Sequence, residues 1–204
     1  MKLYYAPGAC SLAPHIALIE SGLPHQTVRV DLAGHRTEDG EDYFALNAKG
    51  YVPLLVLDDG TKLTEAGVVL QYIADRKPGT LAPAAGTLER YRVMEWLNYI
   101  ATELHKGFGP LWNPKTPQAT QEHARAQLAK RFELIEQALA NKPYLAGETF
   151  TIADAYLFVV ASWAKPLEVD LVGYPALRTF LQRVRARPGV EQALRGEGLL
   201  KAAA

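Results

Sequence analysis

Of the 204 residues one is a cysteine, Cys10, in the run Pro7-Gly-Ala-Cys-Ser11. It falls between a β-like run and the first turn of a helix. A sulfur at the amino end of a helix meets a partial positive charge, which favours the thiolate. That effect is typically ~0.3–1 kcal/mol and at most ~2, so it lowers a thiol pKa from ~8.5 by about one unit. The sulfur then stays mostly protonated near neutral pH unless a second donor helps. The alternative for the same residue is an inert, buried Cys acting as a small hydrophobe. A second feature is Asn47-Ala-Lys-Gly-Tyr-Val52-Pro53. A proline opening a strand cannot donate to the ladder and belongs at an edge or a turn. Only ~5–6% of X–Pro bonds are cis, so a trans Val52–Pro53 bond is the expectation from these residues alone. A cis bond would leave the Val52 N–H and C=O pointing outward, ready to pair with an extended peptide. The third feature is Leu63-Thr-Glu65-Ala66 at a helix start. Free N–H groups of a first turn bind carboxylates, and Glu65 beside them could hold an ammonium, a grip suited to an α-amino acid end. An acidic first turn is also a plain helix stabiliser.

The elements that must position these residues follow from periodicity and punctuation. Residues 2–6 read as a strand broken at Pro7-Gly8. A helix over 12–21 has Ser11 as N-cap and Gly22 as its stop. Residues 27–31 alternate as a second strand, and 41–46 form a short helix. Two apolar runs, 53–57 and 62–64, flank Asp58-Asp59-Gly60, a hairpin signal, and lead into a helix over 66–76. The order is βαβ, an excursion, then ββα. Beyond a Pro/Gly/Ala-rich stretch, long amphipathic helices cover about 88–111, 117–139, 152–164 and 176–187, with Thr151-Ile-Ala-Asp154 as a capping box. The chain therefore divides into an α/β domain over 1–78, a linker over 79–86 and an all-helical domain over 87–204. Asn98, Thr102, His105, Gly109 and Trp112 step by four, three, four and three, and so share one helical face. A polar pair on an apolar stripe needs partners if buried, and a sulfur or a bound peptide could supply them. Phe108, Trp112 and Trp163 form an aromatic set, more often core than pocket. No role is attached to His15, His25 or His123.

Composition excludes several functions. Lys+Arg and Asp+Glu balance at 22 each, which gives no electrostatic footprint for nucleic acid or an anionic membrane. No apolar run approaches the ~18 residues of a membrane span, and the first residues lack the apolar core of a secretory signal. One cysteine builds no disulfide framework, so the expected compartment is the reducing cytoplasm. No metal-ligand cluster is read.

The motifs together resemble the beta class of bacterial glutathione transferases. The resemblance lies in the opening Met1-Lys-Leu-Tyr-Tyr-x-Pro-Gly-Ala-Cys-Ser11, in Asp42-Tyr-Phe, Lys49-Gly-x-Val-Pro53, Leu57-Asp-Asp-Gly60 and Leu63-Thr-Glu65. It continues through residues 95–108 and 150–158 and runs end to end. It implies a thioredoxin-like N-terminal domain with an all-α C-terminal domain, assembled as a homodimer. Glutathione would be the co-substrate, with no other cofactor and no metal. Val52 would precede a cis-proline and pair with the cysteinyl unit of glutathione, while Glu65 and the Ala66 backbone hold its γ-glutamyl end. Ala9 and Cys10 would lie beside the glutathione sulfur, with Cys10 able to form a mixed disulfide. Tyr5 sits near without being the main activator, and Ser11 is a second donor candidate. Asn98 and His105 would reach toward Cys10 and the tripeptide. His35 stands where relatives often carry Lys, which makes a contact to the glycyl carboxylate titratable. Phe108, Trp112 and Trp163 would wall a pocket for an apolar electrophile, halogenated aromatics among them. The implied reaction is conjugation of the glutathione thiolate. The alternatives are thioltransferase or peroxidase activity through a Cys10–glutathione disulfide, and a non-catalytic binding module.

Overall fold

The computed structural model describes residues 1–200. They form two compact units, one of Met1–Ala82 joined by the segment from Arg187 on, the other Pro83–Ala186.

The first unit is built on a five-stranded sheet. Its elements in chain order are β1 (Lys2–Tyr5), α1 (Leu12–Ser21), β2 (Gln26–Asp31), β3 (Arg36–Thr37), α2 (Tyr43–Leu46), β4 (Leu54–Val56), β5 (Lys62–Thr64) and α3 (Ala66–Arg76). The strand order is β3-β2-β1-β4-β5, with β1 parallel to β2 and the other pairings antiparallel. Side chains alternate across a strand. Tyr4 of β1 accordingly joins Val28, Val30, Tyr43, Val52 and Leu54 in one buried cluster. Leu3 and Tyr5 face the other side. The β4–β5 hairpin turns at the Asp-Gly pair, as its chemistry dictates. Helix α1 is apolar almost all round and correspondingly buried, packing against α3. It stops where Gly22 enters the left-handed region at φ 67° and returns its N–H to the Ile19 carbonyl at 3.0 Å. Its start differs from expectation. Ser11 lies in helical φ/ψ and makes no capping bond, because its hydroxyl is held by Ala6. Strand β3, two residues long, gave no periodic signal.

The second unit contains α4 (Leu88–Tyr99), a π-helical segment Ile100–His105, a 3₁₀ turn Lys106–Phe108, α5 (Gly109–Trp112), α6 (Gln118–Leu139), α7 (Ile152–Ser162) and α8 (Pro175–Arg185). The single helix expected over 88–111 is therefore four segments of different pitch. A wider turn carries later residues off the α-helical face, so the four–three–four–three spacing from Asn98 to Trp112 no longer marks one stripe. Helix α7 is buried from Ile152 to Ala161, which fits its apolar run after Asp154. The capping box at Thr151 and Asp154 is closed as expected. Helix α8 begins against α6: the Glu136 carboxylate accepts from Ala176 N at 2.8 Å and Leu177 N at 2.9 Å.

A last helix, α9 (Pro188–Gly196), belongs to the first unit and packs on α1. The sequence division had carried the helical domain to residue 204 and read no separate element here. Arg187 forks onto Glu20 near the end of α1, with Nε–Oε1 at 3.1 Å and an Nη2–Oε2 contact at 2.6 Å. A Cβ on Gly189 would lie 2.7 Å from Glu20 Oε1, so any larger residue would have to displace the Glu20 side chain that Arg187 holds. Among the described residues no helix is long and apolar enough to cross a membrane.

Candidate active site

The loop carrying Cys10 is tied down on three sides. Ala9 N donates to Ala6 O and Leu12 N to Ala9 O, each at 3.0 Å, which winds the turn between β1 and α1. Ser11 is fully buried, its Oγ accepting from Ala6 N at 3.1 Å and lying 3.3 Å from Ala6 O. That hydroxyl pins the end of β1 to the start of α1. Gly8 N donates to Glu197 Oε2 at 2.9 Å, and Glu197 Oε1 lies 3.0 Å from His15 Nδ1. Glu197 follows α9, so the loop is anchored from the far end of the sequence. Cys10 itself is half-buried, and its thiol donates to the Val52 carbonyl at 3.2 Å. Tyr5 is buried with its ring against His15 at 5.9 Å. Burial raises its phenol pKa, Glu197 and Glu38 adding to the rise and Arg29 opposing it, so the group stays protonated at neutral pH.

The Val52–Pro53 bond is cis, against the base-rate expectation and in line with the resemblance. The Val52 carbonyl, expected to point outward for a peptide, faces the Cys10 thiol instead. The residue before it is fixed from inside. Tyr51 O accepts from Tyr43 Oη at 2.8 Å and from Asn47 Nδ2 at 2.7 Å. Burial pushes the Tyr43 pKa up to about 12, so it remains a donor. The loop also needs Gly50, at φ 67°, where a Cβ would sit 2.7 Å from Phe44 Cε1.

Glu65 occupies the turn into α3 at φ 68° and ψ 116°, a backbone region that costs a non-glycine residue about 1–3 kcal/mol. Such strain is held by surrounding structure and clusters at binding sites. Its carboxylate already grips an ammonium: Lys49 Nζ lies 2.6 Å from Glu65 Oε1 and 2.9 Å from Thr64 Oγ1. Ala66 opens α3 behind it and is buried. His35, also at positive φ (49°), stacks on Phe44 with ring centroids 4.2 Å apart. Its Nδ1 is buried without a hydrogen-bond partner.

Within the helical unit, His105 Nδ1 lies 2.7 Å from the Tyr156 hydroxyl, and its ring meets the edge of Trp163 at 4.9 Å. Asn98 is exposed, and its backbone carbonyl accepts from Thr102 Oγ1 at 3.0 Å. Phe108 is completely buried and packs on Phe132 and Trp163. Trp163 is itself nearly buried, whereas Trp112 is 52% exposed and stacks edge-on against it. Of the three aromatic residues, then, Phe108 is core and Trp112 alone presents an open face. Sequence reasoning missed Tyr43, Asn47, His15, Glu197 and Tyr156. Asn47 alone carried a local signal, since Asn ahead of Lys-Gly is a turn former.

A thiol at a helix start, a carbonyl beside a cis-proline and an acidic turn thus belong to one thioredoxin-like sheet unit. Residues 8–76 match the family model for the glutathione S-transferase N-terminal domain, and residues 99–188 match the one for its C-terminal domain. The chain is 52% identical over 201 residues to glutathione S-transferase GstA of Escherichia coli O157:H7, covering 98% of this chain and 100% of that protein. The structure of a sphingomonad glutathione S-transferase complexed with glutathione superposes with a TM-score of 0.94 at 43% identity, over 98% of this chain and 100% of that one. The bacterial beta-class enzyme of Sphingomonas chungbukensis gives the same TM-score of 0.94, identity of 43% and coverages of 98% and 100%. The chain belongs to the glutathione S-transferase family and is an enzyme of that kind, with the beta-class character its motifs carry.

Proposed function

We propose that the enzyme joins the thiolate of glutathione to small apolar electrophiles. The thiol gives up its proton to solvent or a nearby base. The sulfur then forms a bond to an electrophilic carbon, either expelling halide or adding to an activated double bond, whose other end then takes a proton from solvent. Binding has two tasks, keeping the sulfur anionic and holding it against the carbon. The observation that carries this reading is the Cys10–Val52 contact at the start of α1, which puts a thiol group next to a peptide-pairing backbone. Ala9 and Cys10 line the sulfur. Val52 and Pro53 take the cysteinyl backbone, and Glu65 with Ala66 takes the γ-glutamyl end. His35 is the candidate partner of the glycyl carboxylate. Asn98 and His105 are the candidates of the helical unit, and the open face of Trp112 suits an aromatic electrophile. Tyr5 stays a protonated neighbour. Ser11, closed off by Ala6, shapes the loop. The protein works as a homodimer in the cytoplasm, a reading supported by the family and by the single cysteine.

The test is calorimetric titration with glutathione, then kinetics with haloaromatics and enones. Wild type is expected to bind glutathione and to turn over at least one of them. No binding would favour the non-catalytic module and end the proposal.

A second reading rests on Cys10 being half-exposed and the lone thiol. Its thiolate attacks a glutathionylated disulfide, forms a Cys10–glutathione disulfide and releases the other thiol. A second glutathione thiolate then reduces that disulfide, leaving oxidised glutathione. Cys10→Ala is expected to abolish this exchange and to weaken conjugation without abolishing it. Undiminished exchange in Cys10→Ala would remove this reading.

A further inference from the structure

The Tyr51 carbonyl is held with unusual completeness for a surface loop. Its two donors come from inside the sheet unit: Tyr43, fully buried, and Asn47, nearly so. The Asn47 amide cannot serve in either orientation, because its Oδ1 accepts from Lys49 N at 3.2 Å, which leaves Nδ2 as the donor to Tyr51. The Asn47 backbone carbonyl takes Gly50 N at 2.9 Å and closes the turn. Everything between Asn47 and Tyr51 is thus wound around one side chain.

Fixing that carbonyl fixes the group on its other side. Val52–Pro53 is the cis bond among the described residues, so the Tyr51–Val52 peptide is trans. In a planar trans peptide the C=O and N–H point in opposite directions. A Tyr51 carbonyl drawn inward by two donors therefore aims the Val52 N–H away from the core. The other polar backbone group of Val52, its carbonyl, is turned toward Cys10 Sγ at 3.2 Å. Both orientations of Val52 are then set by named partners, one pair behind it and one thiol in front.

We infer that Tyr43 and Asn47 are positioning residues for the peptide-binding loop: by holding the Tyr51 carbonyl from within, they present the Val52 N–H to the main chain of a bound thiol peptide. This rests on the reading of glutathione as the ligand. Neither residue touches the ligand in this account. Tyr43 also packs on Tyr4 with ring centroids 6.1 Å apart, so Tyr43→Phe keeps the ring and removes only the donor. Asn47→Asp keeps the acceptor for Lys49 N–H and removes the donor to Tyr51.

Because one donor can still hold a shared acceptor, the two substitutions are coupled rather than additive. Each single variant is expected to weaken glutathione binding about two- to threefold, and the pair about tenfold or more. The loss should appear in the KM for glutathione, with the KM for the electrophile little changed and the melting temperature of Tyr43→Phe near wild type. In the ¹H–¹⁵N spectrum the Val52 amide should shift on adding glutathione to wild type and shift less in Tyr43→Phe, a readout that does not need the double variant to fold. A double variant that binds as wild type, a loss shared equally by kcat and both KM values, or a Val52 amide indifferent to glutathione would each overturn the inference. Wild type failing to bind glutathione would overturn the proposed function first and this inference with it. Normal wild-type binding with indifferent variants strikes this inference alone.

Discussion

Glu197 and His15 show how a site is made by residues that do no chemistry. The Glu197 side chain has no solvent exposure, and each of its oxygens has a partner, His15 and the Gly8 N–H. Truncating it takes the acceptor from the buried His15 ring nitrogen, at about 1–3 kcal/mol, and removes one contact of the half-buried Gly8 N–H. Glu197→Ala should therefore lower unfolding free energy in urea by about 1–3 kcal/mol. It should also loosen the Gly8–Cys10 turn, seen as a raised KM for glutathione. An unchanged denaturation midpoint would show the pair to be idle. None of this was legible from the chain. His15 reads as one more helical residue, and its partner lies 182 positions away. Cys10, Val52 and Glu65 stood out as candidates because of local signals: a helix start, a strand-opening proline and an acidic residue at a helix start. Lys49 sitting on Glu65, and the Val52 carbonyl turned to sulfur, depend on distances that spacing does not encode.

At the scale of elements, the start of α7 has the sharpest consequence. The Asp154 carboxylate, wholly buried, accepts from Leu145 N, Thr151 N and Thr151 Oγ1, each at 2.8 Å. Burial still outweighs those bonds and raises its pKa from 3.8 to about 6. The folded protein therefore keeps this proton where the unfolded chain has lost it. The group's contribution is fully present below pH ~4 and is lost as pH rises through about 6, a change of roughly 3 kcal/mol for a shift near two units. Asp154→Asn should flatten that part of the stability–pH curve, measured by urea unfolding from pH 4 to pH 7. A curve with the same slope in wild type and variant would refute the assignment. Asp154→Ala, which empties the cap of all three bonds, should lower the melting temperature by several degrees. The capping box was readable because Thr and Asp stand three apart before an apolar run. The π-helical turn after Tyr99 was not, since its residues are ordinary helix formers and nothing in their order marks a wider pitch.

The molecule as a whole is less sequential than its chain. The sequence separates cleanly into mixed and helical halves, and the βαβ–ββα order appears as read. What periodicity could not say is that α9 leaves the helical neighbourhood and packs on α1. Three contacts record it: buried Val190, Ala193 and Leu194, the Arg187–Glu20 fork, and Gly189 against Glu20. Gly189→Ala should destabilise the protein by about 1–3 kcal/mol, because the methyl meets a carboxylate that Arg187 holds in place. Stability equal to wild type would mean that Glu20 moves aside freely. Removing residues from Arg187 onward should do more. It uncovers the apolar α1 surface under α9 and takes away the carboxylate behind Gly8, so retention on immobilised glutathione should fall along with thermal stability. A shortened chain that melts and binds like the full one would refute the role given to α9.

That return also sets a schedule. A ribosome completes the sheet well before α9, so the nascent first unit must wait, part of its apolar helix uncovered, through the making of the entire second one. A premature stop ahead of α9 would thus injure a part of the protein that was translated much earlier.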